Sequence, residues 1–392
     1  MTNPRTYIDI HILQTVPPSN INRDDAGSPK QAIYGGARRA RVSSQAWKRA
    51  TRKSFAQDLG YSPSRLGTRT KRVSTLLASR LAERTGLDTE AAARLSNALL
   101  AHDLDIKPGK KAAETAYLLF VGRNQLDAIV DLVTNQAAEL TAMPDDALAK
   151  AVAELPVRAQ LTVKHPMDVA LFGRMVADIP ALNVDAATQV AHALSVHPVE
   201  IEFDYYTAVD DEKTDEDAGA AMIGTIEFTA ATLYRFATLD VRQLAGNLDE
   251  DVEATIQATR AFLHAFVTSM PTGHQNTFAH RTIPSVVAYV VRGDQPVNLV
   301  NAFEKPIRSR DGIAATAAAR LAAELNRTST SWGLTPAAVA SVYDPAIANA
   351  TSPAADNTEI PQAFGKPRSL TDAIDATIAT IQARLADTPT TR

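Results

Sequence analysis

From Tyr7 to Leu13 apolar and polar residues alternate, with Ile8, Ile10 and Ile12 on one face, the two-residue period of a β-strand. Thr15 to Pro29, rich in Pro, Asn and Asp, reads as a loop. Gly35-Gly36 then marks a tight turn, Arg38 to Val42 a short strand, and Ser43-Ser44 the N-cap of a helix running to about Asp58. From residue 73 to about 160, Ala and Leu recur at helical spacing (Leu76, Leu77, Leu81; Leu95, Leu99, Leu100; Leu118, Leu119, Phe120), predicting an all-helical insertion. The apolar run DVALF stops at Gly173, with Arg174 and Met175 directly after it. Asp185 to Leu194 reads as a helix. Val199 to Tyr206 and Thr225 to Phe236 read as the strands of a projecting hairpin with an acidic tip at 210–217.

Farther on, Asp249 to Met270 has the spacing of a long helix, and the β-branched run Ser285 to Arg292 suits a central strand. Gly312 to Leu325 and Leu370 to Leu385 read as helices, separated by a Pro/Thr/Asn loop from Ser352 to Pro361. Without the insertion and the hairpin, strands and helices alternate. That order predicts an α+β fold, a sheet with helices on one face, as in ferredoxin-like and RRM-like architectures.

Composition narrows the function. At 392 residues the chain should hold two or three folding units of about 150 residues. It has no cysteine, which excludes disulfides, thiolate catalysis and thiolate metal sites and fits a reducing, cytoplasmic compartment. The start, MTNPRTYIDIHIL, lacks a signal-peptide layout, and no apolar run reaches the ~18 residues a membrane helix needs, so no membrane partner is expected.

A formal net charge of −4 excludes a uniformly basic coat, but the charge is segregated. Residues 26–82 hold thirteen Lys or Arg against Asp58 alone, and residues 200–217 hold nine acids against Lys213 alone. No acid lies between Asp25 and Asp58, where Lys30, Arg38, Arg39, Arg41, Lys48, Arg49, Arg52 and Lys53 all fall. On a helix, Gln45, Lys48, Arg49, Arg52 and Lys53 share one side, with Ala46, Trp47, Ala50, Thr51 and Ser54 on the other. A helix start at Ser43 beside that cationic side would hold a polyphosphate through amides, dipole and side chains together, which points to nucleic acid.

Enzymatic templates find little support. The eight histidines form no helical zinc pair with a Glu, and phosphate-loop, dinucleotide and nucleophile-elbow motifs do not occur, so neither metal nor cofactor is expected. Asp24 and Asp25 beside the basic stretch could hold Mg²⁺ and make a nuclease, or could cap a turn or orient Arg23. Tyr205-Tyr206-Thr207 on the hairpin and Met175 after Gly173 carry side chains suited to wedging between the bases of single-stranded RNA.

The stretch NINRDDAGSPKQAIYGGARRARVSSQAWKRATRKSF resembles the N-terminal signature of the CasC, or "Cas-seven", family, the crRNA-binding backbone subunit of the type I-E CRISPR Cascade complex. DVALFGRMVAD, DYYTAVDD, GTIEFTAATLYRFA and NAFEKPI are similar to later motifs of that family and keep their order. The resemblance implies a hand-like α+β subunit: an RRM-like palm (1–61, 185–198, 231–392), helical fingers (62–184) and a β-hairpin thumb (199–230). It implies that Asn22, Arg23, Lys30, Ser43, Gln45, Lys48, Arg49 and Arg52 contact the guide backbone, and that Arg174, Met175, Tyr206 and Thr207 brace a displaced base. Its partners would be crRNA, target DNA paired to it, further copies of the chain in a helical filament, and other Cascade subunits. A non-catalytic guide holder is then expected, with a metal-dependent RNA endonuclease working through Asp24 or Asp25 as the alternative.

Overall fold

The computed structural model describes residues 5–104, 114–115, 118–208, 222–309, 312–349 and 359–386. Its strands are β1 Tyr7–Ser19, β2 Gln31–Tyr34, β3 Ala37–Val42, β4 Gly67–Thr70, β5 Leu119–Gly122, β6 Thr188–Val190, β7 Ala193–Ser195, β8 Glu202–Ala208, β9 Met222–Asp240, β10 Val286–Arg292 and β11 Ala338–Tyr343. The chain divides into two compact units, residues 1–54, 189–239 and 259–392, and residues 55–188 and 240–258. The stretch expected as an insertion at 62–184 falls in the second unit, which also takes residues from after the hairpin.

The first unit is built on a mixed α/β arrangement with a nine-stranded sheet ordered β11-β10-β1-β9-β7-β3-β2, with β6 and β8 also paired to β9. Every pairing described in register within it is antiparallel. Helices cover both sides of β10, which corrects the expectation of one covered face. Val286, Ala288 and Val290 pack into a core with Leu299, Phe303 and the helix Ala314–Trp332, while Tyr289, pointing the other way, donates to the Leu263 carbonyl at 3.2 Å. This is why all seven residues of β10 are buried.

Burial on both sides also changes the reading of β1. Its alternation put Ile8, Ile10 and Ile12 on one face, and the polar residues between them, Asp9 and His11, are fully buried as well. They persist there because each has a partner: Asp9 Oδ2 accepts from Arg292 Nε at 3.0 Å and from the Val297 amide at 2.8 Å, and His11 Nδ1 meets the Tyr234 hydroxyl at 2.9 Å. Burial pushes the Asp9 carboxyl up to about 6 and pulls the His11 imidazole down to about 3.

The second unit is mainly helical, its core formed by Leu77 and Leu81, Leu95 and Leu99, and Ile129 and Val130 from successive helices. It is not all-helical. The apolar triplet at Leu118 leads into β5, which pairs antiparallel with β4, because a short apolar run fits a buried strand as well as a helix. Likewise Asp185 to Leu194 is not a helix but contributes β6 and β7, and β1 continues to Ser19 into the expected loop. The expected acidic tip at 210–217 and most of the 352–361 loop lie outside the described residues. No helix among the described residues is long and apolar enough to cross a membrane.

Candidate nucleic-acid interface

The basic segment folds as its local signals predict. Gly35 and Gly36 both take left-handed backbone angles, φ +58° and +71°, the conformation a two-residue hairpin turn requires. A Cβ on Gly35 would lie 1.6 Å from the Glu304 carbonyl oxygen, so this corner of the hairpin sits directly on the turn that carries NAFEKPI. Arg39 fastens the same joint. It is fully buried, donating to the carbonyls of Tyr34 at 3.2 Å, Ser195 at 2.8 Å and Phe303 at 2.8 Å. Arg39 therefore drops out of the surface charge counted along the sequence.

The helix Ser44–Gln57 begins where expected, with Ser43 Oγ accepting from the Ala46 amide at 3.3 Å. Asn22 reaches over from the preceding loop, its Oδ1 accepting from the Ser43 amide at 2.8 Å, so one predicted contact residue positions another. The inner side of the helix is locked by Trp47, fully buried, with the Arg235 guanidinium stacked 3.7 Å from its ring centroid. Arg235 in turn donates to Gln14 Oε1 at 2.6 Å and to the Phe266 carbonyl, and burial pulls it down to about 9.

The opposite side faces outward as the periodicity predicts: Gln45, Arg49 and Lys53 are exposed, and Lys48 and Arg52 are partly exposed. Among the described residues Lys48, Arg49 and Lys53 form no ion pair. Burial of its stem pulls the Lys48 ammonium below its ordinary value. A helix start adds first-turn amides that have no intrahelical carbonyl to bond, so the surface is cationic and rich in donors.

The loop before it is shaped by Asn20 and Asp24. Asn20 is buried and donates to the carbonyls of Gly27 and Glu227, both at 2.9 Å, and Asp24 Oδ1 accepts from the amides of Ala26 and Ser28, both at 3.0 Å. The Asp24 carboxylate thus caps its own turn. Asp25 is exposed on the same loop, and among the described residues no group of three or more His, Asp or Glu side chains could hold a metal. Arg23 is exposed and touches His274 Nε2; Lys30 is half-buried, lining a small cleft with Asn22 and Arg41.

The remaining predicted residues lie elsewhere. In the second unit Arg174 is turned inward, its guanidinium donating to the carbonyls of Leu182 at 2.6 Å, Leu161 at 2.7 Å and Phe120 at 3.2 Å. With 4% of its surface exposed, it holds the loop in shape and cannot itself brace a base, a correction to its expected role; Met175 beside it is 84% exposed. On the hairpin, Tyr206 pairs with Gly224 and Thr207 with Ile223, so the two side chains point to opposite faces. A Cβ on Gly224 would lie 2.4 Å from the Tyr206 ring, which therefore rests on the bare glycine. The face carrying Thr207 also presents Phe203 and Tyr205, 66% and 63% exposed. Phe203 was missed as a candidate although strict alternation from Tyr205 points to it.

Comparison with known proteins comes down on one group. The model of the CT1975-like protein family matches residues 8–365. A chain of a solved "CRISPR RNA-guided surveillance complex, pre-nicking" is 31% identical, with a TM-score of 0.79 over 95% of this chain and 99% of that one. A chain of a solved "CRISPR RNA-guided surveillance complex" is 28% identical, with a TM-score of 0.70 over the same shares. No curated protein matches.

Proposed function

The chain belongs to the CT1975-like protein family, the Cas-seven group of CRISPR surveillance-complex subunits, and from that premise we propose that it is a non-catalytic backbone subunit of a type I-E Cascade that polymerises along crRNA. The first unit is the RRM-like palm, the second the fingers, and the β8–β9 hairpin the thumb. The guide is held by its sugar–phosphate chain, which is the same for every spacer, and sequence is read by base pairing with the target.

The observation that carries this reading is the outward side of the helix Ser44–Gln57: Gln45, Lys48, Arg49 and Lys53 project from a rigid element pinned by Trp47, with no carboxylate paired to Lys48, Arg49 or Lys53 among the described residues. Donors without acceptors of their own suit phosphate and ribose. Arg23, Lys30 and Arg52 extend the surface, Asn22 and Ser43 set the helix start, Arg174 shapes the loop that offers Met175, and the hairpin offers Thr207 with its aromatic neighbours.

The test is to purify the chain from its native host and sequence the nucleic acid that accompanies it. Repeat-derived RNA carrying many different spacers is expected; RNA without CRISPR repeats overturns the proposal. Incubation of the assembled protein with complementary RNA and Mg²⁺ should leave that RNA intact, whereas regularly spaced cuts abolished by Asp25→Ala would replace the guide holder with a nuclease.

A further inference from the structure

Away from the helix, three groups able to carry positive charge meet beside the β2–β3 hairpin. Arg41 on β3 donates from Nη1 to His192 Nδ1 at 3.1 Å, its Nε is fixed by the Gln31 carbonyl at 3.2 Å, and its backbone amide bonds the Lys30 carbonyl at 2.9 Å. Lys30 and Arg41 both line the cleft that includes Asn22. His192 is exposed in the connection from β6 to β7. Among the described residues neither Lys30 nor Arg41 forms an ion pair. A further donor adjoins them: Gln31 Nε2 is buried without an acceptor, its Oε1 being taken by Arg38 Nη1 at 2.8 Å.

Such a cluster is short of one thing, negative charge. His192 accepts the Arg41 N–H at Nδ1, which requires the neutral imidazole. Partial burial, then Arg41, then Lys30, hold its pKa below the ordinary value. An anion reverses that preference. Protonation at Nδ1 breaks the Arg41–His192 hydrogen bond and frees the guanidinium N–H, and a phosphate oxygen can then accept from Arg41, Lys30 and the imidazolium together, its charge offsetting the repulsion that otherwise keeps the second proton off the ring.

We propose that Lys30, Arg41 and His192 form a phosphodiester-binding cluster whose occupation takes up a proton at His192, so that the chain grips a single strand more tightly as pH falls. This rests on the reading of the basic surface as an RNA-backbone interface, and it adds two residues, Arg41 and His192, and a pH dependence that the helix alone does not have. Guanidinium and ammonium groups ordinarily titrate far above the neutral range, so a surface made of them alone adds affinity without a pH slope.

The test is the affinity of the full chain for a labelled single-stranded RNA at fixed ionic strength from pH 5.5 to 8, for the wild type, His192→Gln and Lys48→Gln, with the His192 ring titrated by NMR with and without RNA. The wild type is expected to bind about three- to sixfold more tightly at pH 6 than at pH 8, the gain from about one pKa unit of stabilised imidazolium. His192→Gln should flatten the profile, and the ring pKa should rise when RNA is added. Lys48→Gln should weaken binding at every pH while keeping the slope. His274, beside Arg23, is present in all three proteins, so its titration cancels in the comparison. A parallel profile for His192→Gln, or a ring pKa unmoved by RNA, overturns the cluster and leaves the helix interface standing. Absence of RNA binding at every pH, or binding indifferent to Lys48→Gln, overturns the underlying reading as well.

Discussion

Replacing Lys48 and Arg49 together with Gln removes two positive charges from the outward side of the helix while keeping most of each aliphatic stem. Neither cation is paired with an acid among the described residues, so the change strands no carboxylate, and stability should stay within about 0.5 kcal/mol of the wild type. Its effect on binding follows from counterion release. Each phosphate neutralised on a single strand contributes about −0.7 to the slope of log K against log salt, so losing two contacts flattens the slope by about 1.4. Between about 50 and 200 mM salt, the wild type should then lose about sevenfold more affinity than the variant. Fluorescence anisotropy with two labelled RNAs of unrelated sequence, at several KCl concentrations, measures this directly. Equal weakening on both RNAs, with converging affinities at high salt, is the expected result. An unchanged slope, or a loss confined to one RNA, would refute the backbone-contact argument.

Two further outcomes rest on the fold itself. Gly36→Ala, where a Cβ meets open space, should cost only the left-handed backbone strain of about 1–2 kcal/mol, whereas Gly35→Ala adds a collision with the Glu304 carbonyl and should cost at least twice as much in a denaturant titration. His11 titrates at about 3 when folded and near 6.5 when unfolded, so the stability it confers is complete above pH 6.5 and is lost as pH falls toward 3. Whatever Asp9 contributes in the opposite sense, the stability of His11→Gln relative to the wild type should rise by about 1.4 kcal/mol for each unit that pH falls between those limits, and parallel stability curves would refute the assignment.

Elements with a single clean period could be read before any coordinates: the start of β1, the β2–β3 turn, the basic helix with its two faces, and β10. What escaped reading was the environment of individual residues. Arg39, Arg174 and Arg235 are cations in the sequence, but each is buried, the first two with the guanidinium spread over backbone carbonyls and Arg235 held by Gln14, the Phe266 carbonyl and the Trp47 ring, and nothing local distinguishes such an arginine from one in water. Leu118 to Phe120 and Asp185 to Leu194 are too short for periodicity to separate strand from helix; pairing with distant strands decided them. The opposed directions of Tyr206 and Thr207 were legible, since neighbours on a strand always face apart.

The stacking of Trp47 beneath Arg235 has a consequence for biosynthesis. The cationic helix leaves the ribosome early, but the groups that clamp it, Arg235 and the Phe266 carbonyl, follow roughly 200 residues later, on the order of 10–40 s at typical elongation rates. During that interval the nascent chain carries its positive charges on an unanchored segment. The rigid support of the helix is therefore complete only when about two-thirds of the chain has been made, so its cations take fixed positions late, whatever they carry earlier.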